Sequence, residues 1–190
     1  MRAFIAIEIS EELKGALERI ESHLKYAGAD IKWAKPDSIH LTLKFLGDIT
    51  EEQRKEISGK LDEISKSVQP FDVTLKDIGA FPKIEHPRVI WVGLDNGAAQ
   101  SVEIASRVEA ALSTLGFAKE DRAFSPHLTI GRVRSSHNVD KLKEKIPGAA
   151  SDILSSGEIV HRVASIVLFQ STLTPHGSIY TKLHESAFRA

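Results

Sequence analysis

Two short runs of this 190-residue sequence carry side chains suited to proton transfer at an anionic group: His40-Leu41-Thr42-Leu43 and His127-Leu128-Thr129-Ile130. They stand 87 residues apart (127 − 40), close to half the chain. Both lie in apolar, alternating stretches that read as β-strands, where residues i and i+2 share a face. Each His then projects with its Thr, while Leu41, Leu43, Leu128 and Ile130 point to a core. A neutral imidazole accepts a proton and an imidazolium donates one, and an ordinary pKa of about 6.5 keeps both forms accessible near neutrality. Two imidazoles on opposite sides of a phosphorus can deprotonate a water and protonate a leaving oxygen. The hydroxyls of Thr42 and Thr129 can bond the non-bridging oxygens and hold the group in line. A phosphodiester suits such a pair, and the scheme calls for no metal or other cofactor.

The elements that must position these residues recur in the same order in both halves. Residues 2–9 alternate as a strand, and Ser10 precedes a helix with Leu13, Leu17, Ile20 and Leu24 at helical spacing, stopped by Gly28. Residues 31–34 are extended, Pro36-Asp37 turns the chain, and 38–46 is the first motif strand. Thr50 caps a helix with Ile57, Leu61 and Ile64 inward, Pro70 closes it, and 71–81 is another strand. The second half gives a strand over 89–94, a helix over 98–115, the motif strand 127–133 and a shorter helix from Asn138 to about Pro147-Gly148. Strand signal over 158–173 and a last strand over 178–185 complete the chain.

Phe4 precedes His40 by 36 residues, and Trp91 precedes His127 by the same 36. Matching flanks around matching triplets indicate an internal duplication, with halves of roughly 1–86 and 87–190 and the join near Pro82 and Pro87. The expected fold is α+β and bilobal, with two mainly antiparallel sheets flanking a central cleft and helices on the outside. No linker-like tract separates the halves, so 1–190 is expected to form a single two-lobed domain in which the lobes can exchange strands.

A net charge of −1 argues against a polybasic nucleic-acid coat, and the absence of cysteine excludes disulfides, thiolate metal sites and thiol nucleophiles. Two histidines without carboxylates at ligand spacing leave a zinc site short of donors. No apolar run approaches the roughly 20 residues of a membrane span, and the N-terminus reads as a first strand, not a signal peptide. A cytoplasmic monomer without membrane contact is the expectation.

HLTLKFLG (40–47), GAFPKIEHPRVIWVGL (79–94) and SPHLTIGRV (125–133) resemble the RNA 2′,3′-cyclic phosphodiesterases, once called 2′-5′ RNA ligases, of the two-histidine phosphoesterase superfamily. The resemblance covers nearly the whole chain. It implies a bilobal α+β fold and metal-independent opening of a 2′,3′-cyclic phosphate to a 2′-phosphate and a 3′-hydroxyl. It makes His40 the proton donor to the leaving oxygen and His127 the acceptor from water, with Thr42 and Thr129 on the phosphate. The family's arginine, five residues past its second histidine, falls on Arg132. RNA ends or 2′,3′-cyclic nucleotides, tRNA fragments among them, are the implied partners. 2′-5′ RNA end joining, and a non-catalytic module that binds nucleotides or RNA ends, are the competing functions.

Strict alternation leaves Arg132 on the face opposite His127 and Thr129, so a bulge must redirect it, and Gly131 offers a place for one. By the same parity Lys44 falls on the histidine face, where it could attract a phosphate or stand as a plain exposed lysine. Phe45 falls with the core leucines, base stacking being its alternative. Trp33 and Trp91 are expected in the core. The remaining histidines are read as structural or solvent-facing, save that His176, in a turn, is a candidate for the cleft mouth.

Overall fold

Hydrogen bonding sorts the strands by lobe and not by half of the sequence. The computed structural model describes residues 1–155, 159–175 and 177–189. In chain order it has β1 (Arg2–Ile7), α1 (Glu11–Lys25), β2 (Ile31–Trp33), a 3-10 turn (Pro36–Ser38), β3 (Leu41–Asp48), α2 (Glu51–Ser65), β4 (Phe71–Val73) and β5 (Leu75–Phe81). The second half adds β6 (Val89–Leu94), α3 (Ala98–Ser113), β7 (His127–Val133), α4 (Val139–Ser155), β8 (His161–Val163), β9 (Ser165–Thr174) and β10 (Gly177–Ala187). One sheet runs β10-β9-β1-β3, a second runs β2-β7-β6-β5, and β4 pairs with β8 in a small ribbon. Every ladder is antiparallel. The trio β9-β1-β3 has its counterpart in β5-β6-β7, so each sheet takes strands from both halves.

Local chemistry sets the helix ends. The Ser10 hydroxyl accepts from the Leu13 amide at 3.3 Å, and Thr50 and Gln53 form a reciprocal capping box at the start of α2. The buried faces are the ones the periodicity marks: Leu13, Leu17, Ile20 and Leu24 on α1 and Ile57, Leu61 and Ile64 on α2. These join Ile5, Ile7, Leu41, Leu128 and Ile130 in one core. Each fully buried Leu or Ile contributes about 1.5–3 kcal/mol by leaving water. On the other face of the first sheet Phe4, Ala6, Val167 and Phe169 form a separate apolar floor, with Tyr180 against it.

Four expectations need correction. The stretch 71–81 is broken at Thr74, whose carbonyl accepts from Asp95 while its amide donates to Asn96, and 158–173 is broken at Ala164. His40 lies just ahead of β3, not within it. The last helix does not stop near Pro147 but continues through it to Ser155. Proline forfeits one backbone bond there, yet Leu142 and Ala149, both fully buried on either side of it, keep the helix packed. Among the described residues no helix is long and apolar enough to cross a membrane.

Candidate active site

The two motif strands depart from strict alternation at equivalent points. In the β1–β3 ladder Ile5 pairs with Lys44 and Ala6 with Thr42, leaving Leu43 as an extra residue. In the β6–β7 ladder Ile90 pairs with Gly131 and Trp91 with Thr129, leaving Ile130 extra. Leu43 and Ile130 are 87 residues apart (130 − 43), the spacing of the motifs themselves. A bulge turns two successive residues to one face and reverses the parity of the residues beyond it. Leu43 and Lys44 are accordingly both buried, as are Ile130 and Gly131. Gly131 permits this because a Cβ would press on Ile31 Cγ2 at 2.7 Å. Arg132 is thereby carried to the face of His127 and Thr129, where its cation is felt by the His127 imidazole.

Both imidazoles are held by the backbone two residues earlier. His127 Nδ1 lies 2.7 Å from the Ser125 carbonyl, and the His40 ring donates to the backbone of Ser38. A ring N–H committed to a carbonyl fixes the tautomer and leaves the other nitrogen as a lone pair in the neutral form. Each ring also lies on aromatic side chains. His40 stacks on Phe4 at 4.7 Å and meets the edge of Tyr180 at 5.2 Å, and His127 meets Phe81 at 4.9 Å and Trp91 at 6.3 Å.

Burial on its apolar floor pushes the His40 pKa down to about 4, the bond to Ser38 opposing this only in part. Burial also lowers the His127 pKa, the Ser125 carbonyl opposes, and the charge of Arg132 lowers it further. Both rings are therefore neutral at pH 7 in the free protein. Neither Thr42 nor Thr129 spends its hydroxyl on a described residue, and β3 and β7, in different sheets, lie in contact with each other.

The sequence matches the LigT like Phosphoesterase family over residues 7–91 and 92–180. The chain belongs to the LigT-like phosphoesterases. It is 40% identical over 185 residues to a Methanocaldococcus jannaschii protein named RNA 2′,3′-cyclic phosphodiesterase, covering 97% of this chain and 99% of that one. An Aquifex aeolicus protein of the same name is 37% identical over 188 residues, covering 97% and 96%. Among solved structures, a Thermus thermophilus protein superposes with a TM-score of 0.81 at 24% identity, covering 100% of this chain and 98% of that one. Escherichia coli LigT complexed with 3′-AMP gives 0.74 at 22% identity with the same coverage.

In this LigT-like chain two of the placements expected from strand parity are reversed, and both reversals come from the bulge at Leu43. Lys44 is not on the histidine face: it is 4% exposed, paired with Glu109 of α3, and donates to the Ala118 carbonyl at 2.8 Å. It is out of reach of a ligand. Phe45 leaves the core for the face of His40 and Thr42, 61% exposed, opposite Phe4 in the ladder. Trp91 is likewise a wall of the site and not a core residue; a Cβ at Gly79 would overlap its indole.

Phe4, Phe81, Phe169 and Tyr180 escaped the sequence reading, although the equal 36-residue spacings of Phe4 and Trp91 to their histidines marked two of the aromatic supports. Away from the site, His161 bonds the Glu8 carbonyl at 2.9 Å and His184 the Asp62 carboxylate at 2.8 Å. His176 lies outside the described residues. No group of three His, Cys, Asp or Glu placed to hold a metal occurs among the described residues.

Proposed function

We propose that this LigT-like phosphoesterase opens RNA 2′,3′-cyclic phosphate ends to a 2′-phosphate and a free 3′-hydroxyl, without a metal. His40 gives a proton to the leaving 3′-oxygen and His127 takes one from the attacking water. The reading is carried by one device built twice: a His-x-Thr ahead of a bulge, its imidazole tied to the backbone two residues back, at equivalent places in two sheets. The Thr42 and Thr129 hydroxyls would bond the non-bridging oxygens, and Arg132 would add positive charge as the phosphorus becomes five-coordinate. The names of the relatives support RNA cyclic phosphates as the substrate class.

One break in the symmetry supports the division of labour. Beside His127 stands Arg132, a cation that disfavours imidazolium and keeps the ring a base. The equivalent place beside His40 is taken by Phe45, which carries no charge. A bound phosphate anion can then raise the His40 pKa by direct attraction and charge it for donation. The same reading takes 1–190 as one two-lobed unit, acting as a cytoplasmic monomer on RNA ends or cyclic nucleotides.

The test is a short oligoribonucleotide ending in a 2′,3′-cyclic phosphate, incubated in EDTA, with the product identified. A 2′-phosphate is expected, and His40→Ala and His127→Ala should each slow turnover about 10²–10⁴-fold. Undiminished turnover in either variant, or dependence on added metal, overturns the mechanism. A 3′-phosphate product reverses the leaving-group assignment.

A further inference from the structure

Arg132 has neighbours that this chemistry does not use. Lys32 stands directly opposite Arg132 in the β2–β7 ladder. Arg134 comes two residues later, its amide donating at 2.9 Å to the Asp30 carbonyl, so the extended pairing continues past the end of β7. Ile31, Trp33 and Val133 pack into the core, which sends Lys32, Arg132 and Arg134 to the opposite face, shared with His127 and Thr129. All three are exposed.

Like charges directly opposite in a ladder destabilise it. Some surface cations elsewhere are matched, as Lys14 with Glu11, Arg54 with Glu51 and Lys182 with Glu8, and others, such as Lys35 and Arg88, have no ion-pair partner among the described residues, so what marks this stripe is its alignment on one sheet face beside His127. Lys32, Arg132 and Arg134 have no ion-pair partner among the described residues, and Asp30 at the end of the stripe uses its main-chain carbonyl there. In a chain of net charge −1 this is a local concentration, not a share of a general basic coat. Arg132 lies three residues past Thr129, about 10 Å of strand at ~3.3 Å per residue, less what the bulge removes. Lys32 lies one strand further out, on the sheet's edge. The stripe therefore leads away from the reacting group and does not crowd it.

The geometry points to a second anion subsite: Lys32 and Arg134 receive the first internucleotide phosphate behind the reacting end of an oligoribonucleotide. This rests on the His40–His127 site being the one that takes the cyclic phosphate. The subsite makes the protein prefer an RNA strand to a lone cyclic nucleotide.

The experiment compares kcat/KM for a 2′,3′-cyclic mononucleotide and for a pentaribonucleotide with the same cyclic end, in the wild type, Lys32→Ala, Arg134→Ala and Lys32→Arg. The pentamer-to-monomer ratio should fall about five- to tenfold in each alanine variant and recover in Lys32→Arg. The slope of log kcat/KM against log salt for the pentamer should become less negative by about 0.7 per cation removed. An unchanged ratio, or an equal loss on both substrates, overturns the subsite and leaves Lys32 as an edge-strand guard against aggregation. Anisotropy of a 5′-labelled pentamer reads the same contact without turnover. Should the wild type hydrolyse neither substrate, the reading of the reaction fails, while weaker pentamer binding by Lys32→Ala upholds the subsite and unchanged binding removes it.

Discussion

Replacing His40 by Gln removes a titrating ring from the apolar floor of Phe4 and Phe169, and the effect should be visible in how stability depends on pH. The folded-state pKa is about 4, against an ordinary value of 6.5 for the unfolded chain. Below pH 6.5 the unfolded state binds a proton that the folded state refuses, so stability from this group is complete above that pH. It is lost as pH falls towards 4. At about 1.36 kcal/mol per pH unit, His40 should cost the wild type about 2 kcal/mol between pH 7 and pH 5. Urea unfolding of wild type and His40→Gln at both pH values reads this as a double difference. His127 and His161, whose pKa values burial also lowers, titrate in both proteins and cancel. The wild type should therefore lose about 2 kcal/mol more than the variant on acidification. Equal losses would refute the claim that burial holds this ring neutral, and with it the need for a bound anion to charge it.

Two further outcomes test the placements that the bulge reverses and the packing behind His127. Lys44→Met removes the ammonium donor from the Ala118 carbonyl and from the partly exposed Glu109 carboxylate, which keeps its bond from the Glu120 amide, and should cost about 1–3 kcal/mol in urea unfolding. KM for a cyclic nucleotide should stay within about twofold; a large rise in KM at unchanged stability would put Lys44 back at the substrate. Gly79→Ala should displace the Trp91 indole, cost about 1–3 kcal/mol and red-shift the tryptophan emission, and an unaltered spectrum with unaltered stability would show that the glycine does not seat the ring.

The duplication was legible because identical triplets came with identical distances to their flanks, and distance along the chain survives folding. Capping was legible at Ser10 and Thr50 for the same reason, since a cap is a matter of neighbours. What failed was parity. Counting in twos assumes an unbroken ladder, and one extra residue at Leu43 exchanged the destinations of Lys44 and Phe45. Gly131 hinted at the equivalent fault in β7, but Lys44 occupies that place in β3 and conceals it. Its partner Glu109 is 65 residues away, and no local pattern announces such a pairing. Trp91 was misplaced because the site's own walls are apolar: a strand buried on one face by helices and lined on the other by aromatic rings shows no polar alternation.

The exchange of strands also sets an order on the birth of the molecule. A ribosome that has released residues 1–133 has delivered β2, β5, β6 and β7, the whole of one sheet. At that moment the other sheet has only β1 and β3, and the β1 edge at Ala3–Ala6 waits for Val167–Gln170. Non-local pairings of this kind form late and leave a strand edge open to other partners meanwhile. The lobe that seats His127 can close while the chain is still being made. The lobe that seats His40 closes only once β9 and β10 have been delivered, so a nascent chain completes the sheet of His127 before the sheet of His40.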